Sequence, residues 1–222
     1  MNSLVETLGR IAADLRKLGK SWSLIGGLAV SARAEPRTTR DVDLAVAVAE
    51  DKEAEAIVFR LQALGYEVLA VLEQESTKRL ATVRLRPPNE REGGVIVDLL
   101  FGSSGIEPEI TQAAEDLEII PGLRVPVARI GHLMALKVLA RNDRDRPQDL
   151  DDLRALLLEA EPHDIEEARI ALRLIEERGY QRGKQLLAEF DQFVGRARNS
   201  GAEPVKRRRA PTAARAAPNP DC

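Results

Sequence analysis

Aromatic residues make up only 3% of the chain, which argues against a base-stacking platform for single-stranded nucleic acid. Cysteine is nearly absent. The single one is the last residue, Cys222, which excludes a disulfide framework and a cysteine-based zinc site. A reducing, cytoplasmic setting is therefore expected. No apolar run is long enough to span a bilayer, and no apolar core with a basic lead opens the chain, so no membrane role is expected. No repeat recurs at a fixed period, and neither His132 nor His163 has a partner at metal-ligand spacing.

Charge is plentiful. Charged residues account for 31% of the 222 positions and apolar residues for 44%, a balance that suits a globular body with a real core. The net charge of −3 is unevenly spread. From Arg196 onward there are seven Lys and Arg against Glu203 and Asp221, so residues 196–222 carry +5 and the body before them −8. A segment this basic and this rich in Ala and Pro is expected to be a disordered tail. It would either touch RNA, DNA or an acidic partner, or simply stay solvated.

The stretch SLIGGLAVSARAEPRTTRDVDLAVAV, Ser23 to Val48, organises the rest. A short apolar lead reaches Gly26-Gly27, and Leu28 to Ala34 reads as a helix rich in small residues, ended by Glu35-Pro36. Glycines where a strand meets a helix let the backbone approach a ligand, and the free amides of the helix start face an anion. Asp41 and Asp43, two apart in the following strand, leave the same face of a sheet. Like charges side by side in an apolar strand are costly unless a cation sits between them. A divalent ion that prefers oxygen, Mg²⁺ above all, is the usual occupant beside phosphates. Solvated acids at a sheet edge are the plain alternative.

Ser3 to Leu18 has an apolar stripe of Leu4, Leu8, Ile11, Leu15 and Leu18, with Ser3 and Glu6 as a capping box. A helix is expected over Asp51 to Leu64, with Ile57, Leu61 and Leu64 inward. Strands follow at Tyr66 to Leu72, Arg79 to Arg86 and Val95 to Phe101. The last of these is apolar on both faces except for Asp98, and acids are almost never buried without a partner. If this strand lies beside the Asp41 strand, Asp98 completes a cluster of three carboxylates. Then come a short helix over Pro108 to Glu115, a hairpin turning at Pro121-Gly122, and helices over Ala128 to Ala140, Pro147 to Glu159, Asp164 to Arg178 and Gly183 to Val194. Asp164 and Glu167 suggest a capping box. Lys137, Arg141 and Arg144 fall at i, i+4 and i+7, one face of a continuous helix. Such a face would hold phosphates or would simply be a solvated helix end.

Gly26-Gly27, Asp41-x-Asp43 and the later strand residue Asp98 resemble the nucleotidyltransferase core of the DNA polymerase β superfamily. More narrowly, RTTRDVDL from Arg37, followed by Lys137, Arg144 and Asp149, resembles the AbiEii-type nucleotidyltransferases, toxins of type IV toxin–antitoxin and abortive-infection systems. Lys137 and Arg144 match a family motif of a lysine followed seven residues later by an arginine. Asp145 to Asp149 matches the next motif except at Gln148, which stands where the family has a basic residue. The second glycine replaces a frequent serine, and the gap from Gly27 to Asp41 is slightly longer than the tightest family spacing.

The resemblance implies an α/β (α+β) fold, a small mixed sheet with flanking helices followed by a helical C-terminal segment. It divides the chain into a nucleotidyltransferase core over 1–127, a helical segment completing the site over 128–195, and the tail. It implies transfer of a nucleoside monophosphate from an NTP to an acceptor such as tRNA or protein, with an antitoxin as a further partner. Asp41, Asp43 and Asp98 are then the metal ligands for two Mg²⁺ ions, with Mn²⁺ as the alternative. Asp98 also helps to deprotonate the acceptor. Gly26, Gly27, Arg37, Lys137, Arg144 and Asp149 are the nucleotide contacts, Lys137 counts as catalytic, and Asp149 orients Lys137 or the base. A small-molecule acceptor such as an aminoglycoside, or a binding protein that keeps the fold without turnover, are the other readings.

Overall fold

Leu4, Leu8, Ile11 and Leu15 recur every three or four residues, the spacing of one helical face. In the computed structural model of the protein they are the buried face of α1 (Ser3–Lys17). The structure describes residues 3–141 and 147–199. After α1 come β1 (Trp22–Ile25), α2 (Gly26–Arg33), β2 (Asp41–Val46), α3 (Asp51–Ala63), β3 (Glu67–Glu73), β4 (Leu80–Arg86), β5 (Ile96–Leu100) and α4 (Glu107–Ala113). The hairpin β6 (Glu115–Ile120) and β7 (Leu123–Val127) follows, then α5 (Ile130–Ala140), α6 (Gln148–Glu159), α7 (Pro162–Glu177) and α8 (Leu186–Asn199).

The strands make one mixed sheet in the order β3-β4-β5-β2-β1-β7-β6. β2 runs parallel to β5 and β1 parallel to β7, while the remaining neighbours are antiparallel. This is the mixed α/β architecture expected from the sequence. A single apolar cluster joins Leu24, Val42, Leu44, Val97 and Leu99 of the central strands to Leu133, Val138, Leu153, Leu172 and Phe190 of the later helices. Each such side chain contributes about 1.5–3 kcal/mol when fully buried. The helical segment is thereby fixed against the sheet, which brings α5 and α6 up to the acidic end of β2.

Local differences from the expected elements have physical causes. α2 begins at Gly26, two residues early, because Gly26 adopts φ +63 and starts the helix directly from β1. Leu64 is 49% exposed instead of inward, since it lies beyond the last turn of α3, where Gly65 at φ +92 redirects the chain. The helix expected over Pro108 to Glu115 ends at Ala113, and Glu115 enters β6. α7 starts earlier than expected because Pro162 occupies its first turn, and its capping box is formed by Glu161 and Asp164. α8 starts at Leu186 and continues to Asn199. The capping role of Ser3 and the tail beyond residue 199 lie outside the described residues and side chains.

Candidate active site

Asp43 lies directly across from Asp98 in the parallel β2–β5 pair, and Arg84 lies across from Asp98 in the antiparallel β4–β5 pair. Cross-strand partners share a sheet face. Arg84, Asp98 and Asp43 therefore form a row across three strands, with Asp41 two residues before Asp43 on the same face. Burial, then the neighbouring Asp98 and Asp41 carboxylates, push the Asp43 carboxyl up to about 6, against the pull of Lys137 and of a hydrogen bond from the Gly27 amide. Asp98 is paired. Arg84 Nε donates to its Oδ1 at 2.9 Å and Nη2 to its Oδ2 at 2.7 Å. The hydrogen bond to Asp98 holds the guanidinium above its ordinary range, and Asp41 and Asp43 add to the effect.

The glycine pair is fixed by what lies against it. A Cβ on Gly26 would sit 1.9 Å from Asp43 Oδ2, so the carboxylate occupies the space a side chain would need. A Cβ on Gly27 would meet Arg37 Nη2 at 2.7 Å and Thr39 Oγ1 at 2.9 Å. The Gly27 amide, expected to face a triphosphate, is turned onto Asp43 in this structure. The position where the family often has a serine is covered by the Arg37 guanidinium.

Lys137 is not on a solvated helix face. α5 is buried on nearly every side, and Lys137 is 7% exposed. Its Nζ lies 2.9 Å from Asp149 Oδ1 and 2.6 Å from Asp152 Oδ2, both carboxylates coming from α6. Asp152 also holds Arg37, with Nη2 2.9 Å from Oδ2 and Nε 2.6 Å from Oδ1. The continuous face expected for Lys137, Arg141 and Arg144 is not formed, because α5 ends at Ala140 and Arg141 has left helical geometry at ψ 126. Arg144 lies outside the described residues.

Whether this donor set suits a divalent cation has a divided answer. Three carboxylates on one sheet face, one of them raised by burial and then by the other two, have the chemistry of a hard-cation site. Yet among the described residues no three His, Cys, Asp or Glu side chains are grouped to hold a metal ion as they stand, and both oxygens of Asp98 are bonded to Arg84. Asp41 and Asp43 are the carboxylates of this row whose oxygens Arg84 does not hold.

A family profile described as the nucleotidyl transferase AbiEii toxin of type IV toxin–antitoxin systems matches residues 10–218. The chain belongs to the AbiEii nucleotidyltransferase family. No curated protein matches it at a significant level. Among solved structures, it is similar to ANT(2")-Ia in complex with adenylyl-2"-tobramycin, at 14% identity over 78% of this chain and 97% of that one, with a TM-score of 0.50. It is also similar to an antigenic nucleotidyltransferase-like protein of Paracoccidioides brasiliensis, at 18% identity over 86% and 91%, TM-score 0.49. The nucleotidyltransferase toxin MenT4 of Mycobacterium tuberculosis matches at 13% identity over 85% and 91%, TM-score 0.36.

This AbiEii-family transferase has two site residues that reading the sequence missed. Arg84 falls on the polar face of β4, but nothing in the chain's order says that β4 neighbours β5. Asp152 ends the charged stretch KVLARNDRDRPQDLDD that begins at Lys137, and its spacing of three from Asp149 puts both acids on one helical face. That spacing was the available signal. No helix among the described residues is long and apolar enough to cross a membrane.

Proposed function

We propose that this enzyme moves a nucleoside monophosphate from an NTP to an acceptor hydroxyl in a reaction that depends on Mg²⁺, with Mn²⁺ as a substitute. The acceptor oxygen bonds to the α-phosphorus, the bond to the bridging oxygen breaks, and pyrophosphate leaves. The observation that carries the reading is the register of Asp43 opposite Asp98, with Asp41 on the same face and Lys137 within electrostatic reach. Asp41 and Asp43 would hold the ions, and Asp98 would complete the set. Bound there, the ions supply Lewis-acid polarisation of the phosphoryl oxygens and make the acceptor hydroxyl easier to deprotonate. Asp98 takes the acceptor's proton. Lys137, positioned by Asp149 and Asp152, offsets the charge of the triphosphate, with Arg37 held beside it by Asp152. Gly26 and Gly27 keep side chains out of the approach to β2. In this reading residues 1–127 are the transferase core and 128–195 supply Lys137 and Asp149.

The proposed acceptor is tRNA or a protein, as suits a toxin acting in the cytoplasm beside its antitoxin. A small cationic molecule is the second reading. The −8 body favours it, and ANT(2")-Ia was solved with an adenylylated tobramycin. The test is transfer of label from α-³²P-NTPs to bulk tRNA, then to aminoglycosides, then to the protein itself. Wild type should label one of them, and Asp98→Asn, folded by circular dichroism, should lose on the order of a hundredfold or more in rate. Equal labelling by Asp98→Asn would remove the three-carboxylate site. No labelling by wild type with any NTP would favour a binding protein.

A further inference from the structure

Asp98 is bonded through both oxygens to a cation supplied by the protein itself, and the two partners differ in freedom. The Asp98 side chain is 10% exposed and fixed in a central strand, whereas the Arg84 side chain is 44% exposed and reaches in from β4. Only the arginine is free to leave. Its guanidinium also feels Asp41 and Asp43, so it neutralises part of the charge that a divalent ion would neutralise. A guanidinium in this fork geometry matches phosphate oxygens as well as it matches a carboxylate.

We propose that Arg84 is a cation latch on the third carboxylate: it competes with a divalent ion for Asp98, and on nucleotide binding it exchanges Asp98 for the oxygens of the triphosphate. The latch keeps Asp98 out of the site until an ion arrives together with an anion that can receive the displaced arginine. Metal alone therefore binds against the latch, and metal with nucleotide binds with it. Arg84 is in this sense a positioning residue whose effect on two ligands has opposite sign. The inference rests on the metal-dependent reading given under Proposed function.

The experiment measures Mn²⁺ binding by electron paramagnetic resonance, and binding of a non-hydrolysable ATP analogue in saturating Mg²⁺ by calorimetry. It uses the full chain as wild type, Arg84→Gln, Arg84→Lys and Asp43→Asn. Arg84→Gln should bind Mn²⁺ alone about 5–10-fold more tightly than wild type while binding the analogue several-fold more weakly, and Arg84→Lys should fall between them. Mn²⁺ should also raise the melting temperature of Arg84→Gln by more than it raises that of wild type, because Asp98 has lost its internal partner. A purely structural arginine would weaken both ligands together. Unchanged or weaker Mn²⁺ binding in both Arg84 variants, with binding abolished in Asp43→Asn, would overturn the latch and leave the metal site standing. Absence of Mn²⁺ binding in every protein, wild type included, would overturn the latch and the metal-dependent reading together.

Discussion

The Asp43 carboxylate rests on the bare Cα of Gly26: a Cβ there would lie 1.9 Å from its Oδ2. The first glycine of the motif thus serves the carboxylate before it serves any ligand. Gly26 also has φ +63, a conformation that other residues adopt at a cost.

Gly26→Ala should therefore be destabilising twice over, by about 2–4 kcal/mol in urea denaturation from backbone strain and the clash together. Combined with Asp43→Ala, which removes the obstructing carboxylate, the cost should fall by about half. A double-mutant cycle with no coupling would mean that the contact does not govern this position.

The raised Asp43 carboxyl makes a pH prediction. Its folded value of about 6 lies above the ordinary aspartate value, so folding takes up a proton between the two. That stabilisation is complete below about pH 4 and is lost as pH rises through 6. Without added divalent ions, Asp43→Asn should be more stable than wild type at pH 7.5 by about 1–3 kcal/mol, and the gap should close by pH 4. Millimolar Mg²⁺ should stabilise wild type and not the variant. Thermal melts across that pH range check both statements. A variant less stable than wild type at pH 7.5 without metal would contradict them.

Asp152 ties Arg37, from the loop before β2, to Lys137 on α5. Asp152→Ala leaves a buried lysine with one carboxylate fewer and should cost about 3–5 kcal/mol of stability. Asp152→Asn should cost less but raise the KM for NTP more than it lowers kcat, since both cations lose their aim without being removed. Steady-state kinetics with whichever acceptor the labelling assay identifies separates the two parameters.

Lys137→Ala should lower kcat and raise the NTP requirement together, by on the order of a hundredfold in kcat/KM, because in the proposed reaction the charge meets the triphosphate in ground state and transition state alike. It also leaves Asp149 and Asp152 facing each other, so its melting temperature should fall. Lys137→Arg should restore part of the stability and little of the rate, since a planar fork does not reproduce the point charge.

Local sequence determined the elements and the order of the candidate site. The period of Leu4, Leu8, Ile11 and Leu15 specified α1. The alternation in Asp41-x-Asp43 put two acids on one face, and Asp98 stood out because an acid in so apolar a strand needs a partner. Each depends on residues within a few positions of one another, where backbone geometry alone decides which side chains meet. Tertiary structure decided the pairings. The sheet order β4-β5-β2 places Arg84 and Asp43 on either side of Asp98, and the docking of α5 and α6 on the sheet encloses Lys137 between Asp149 and Asp152. A charged side chain 12 to 115 positions from its partner leaves no trace in local pattern. Its neighbour is chosen by how strands register and by how helices bury their apolar faces, and both are properties of the whole chain.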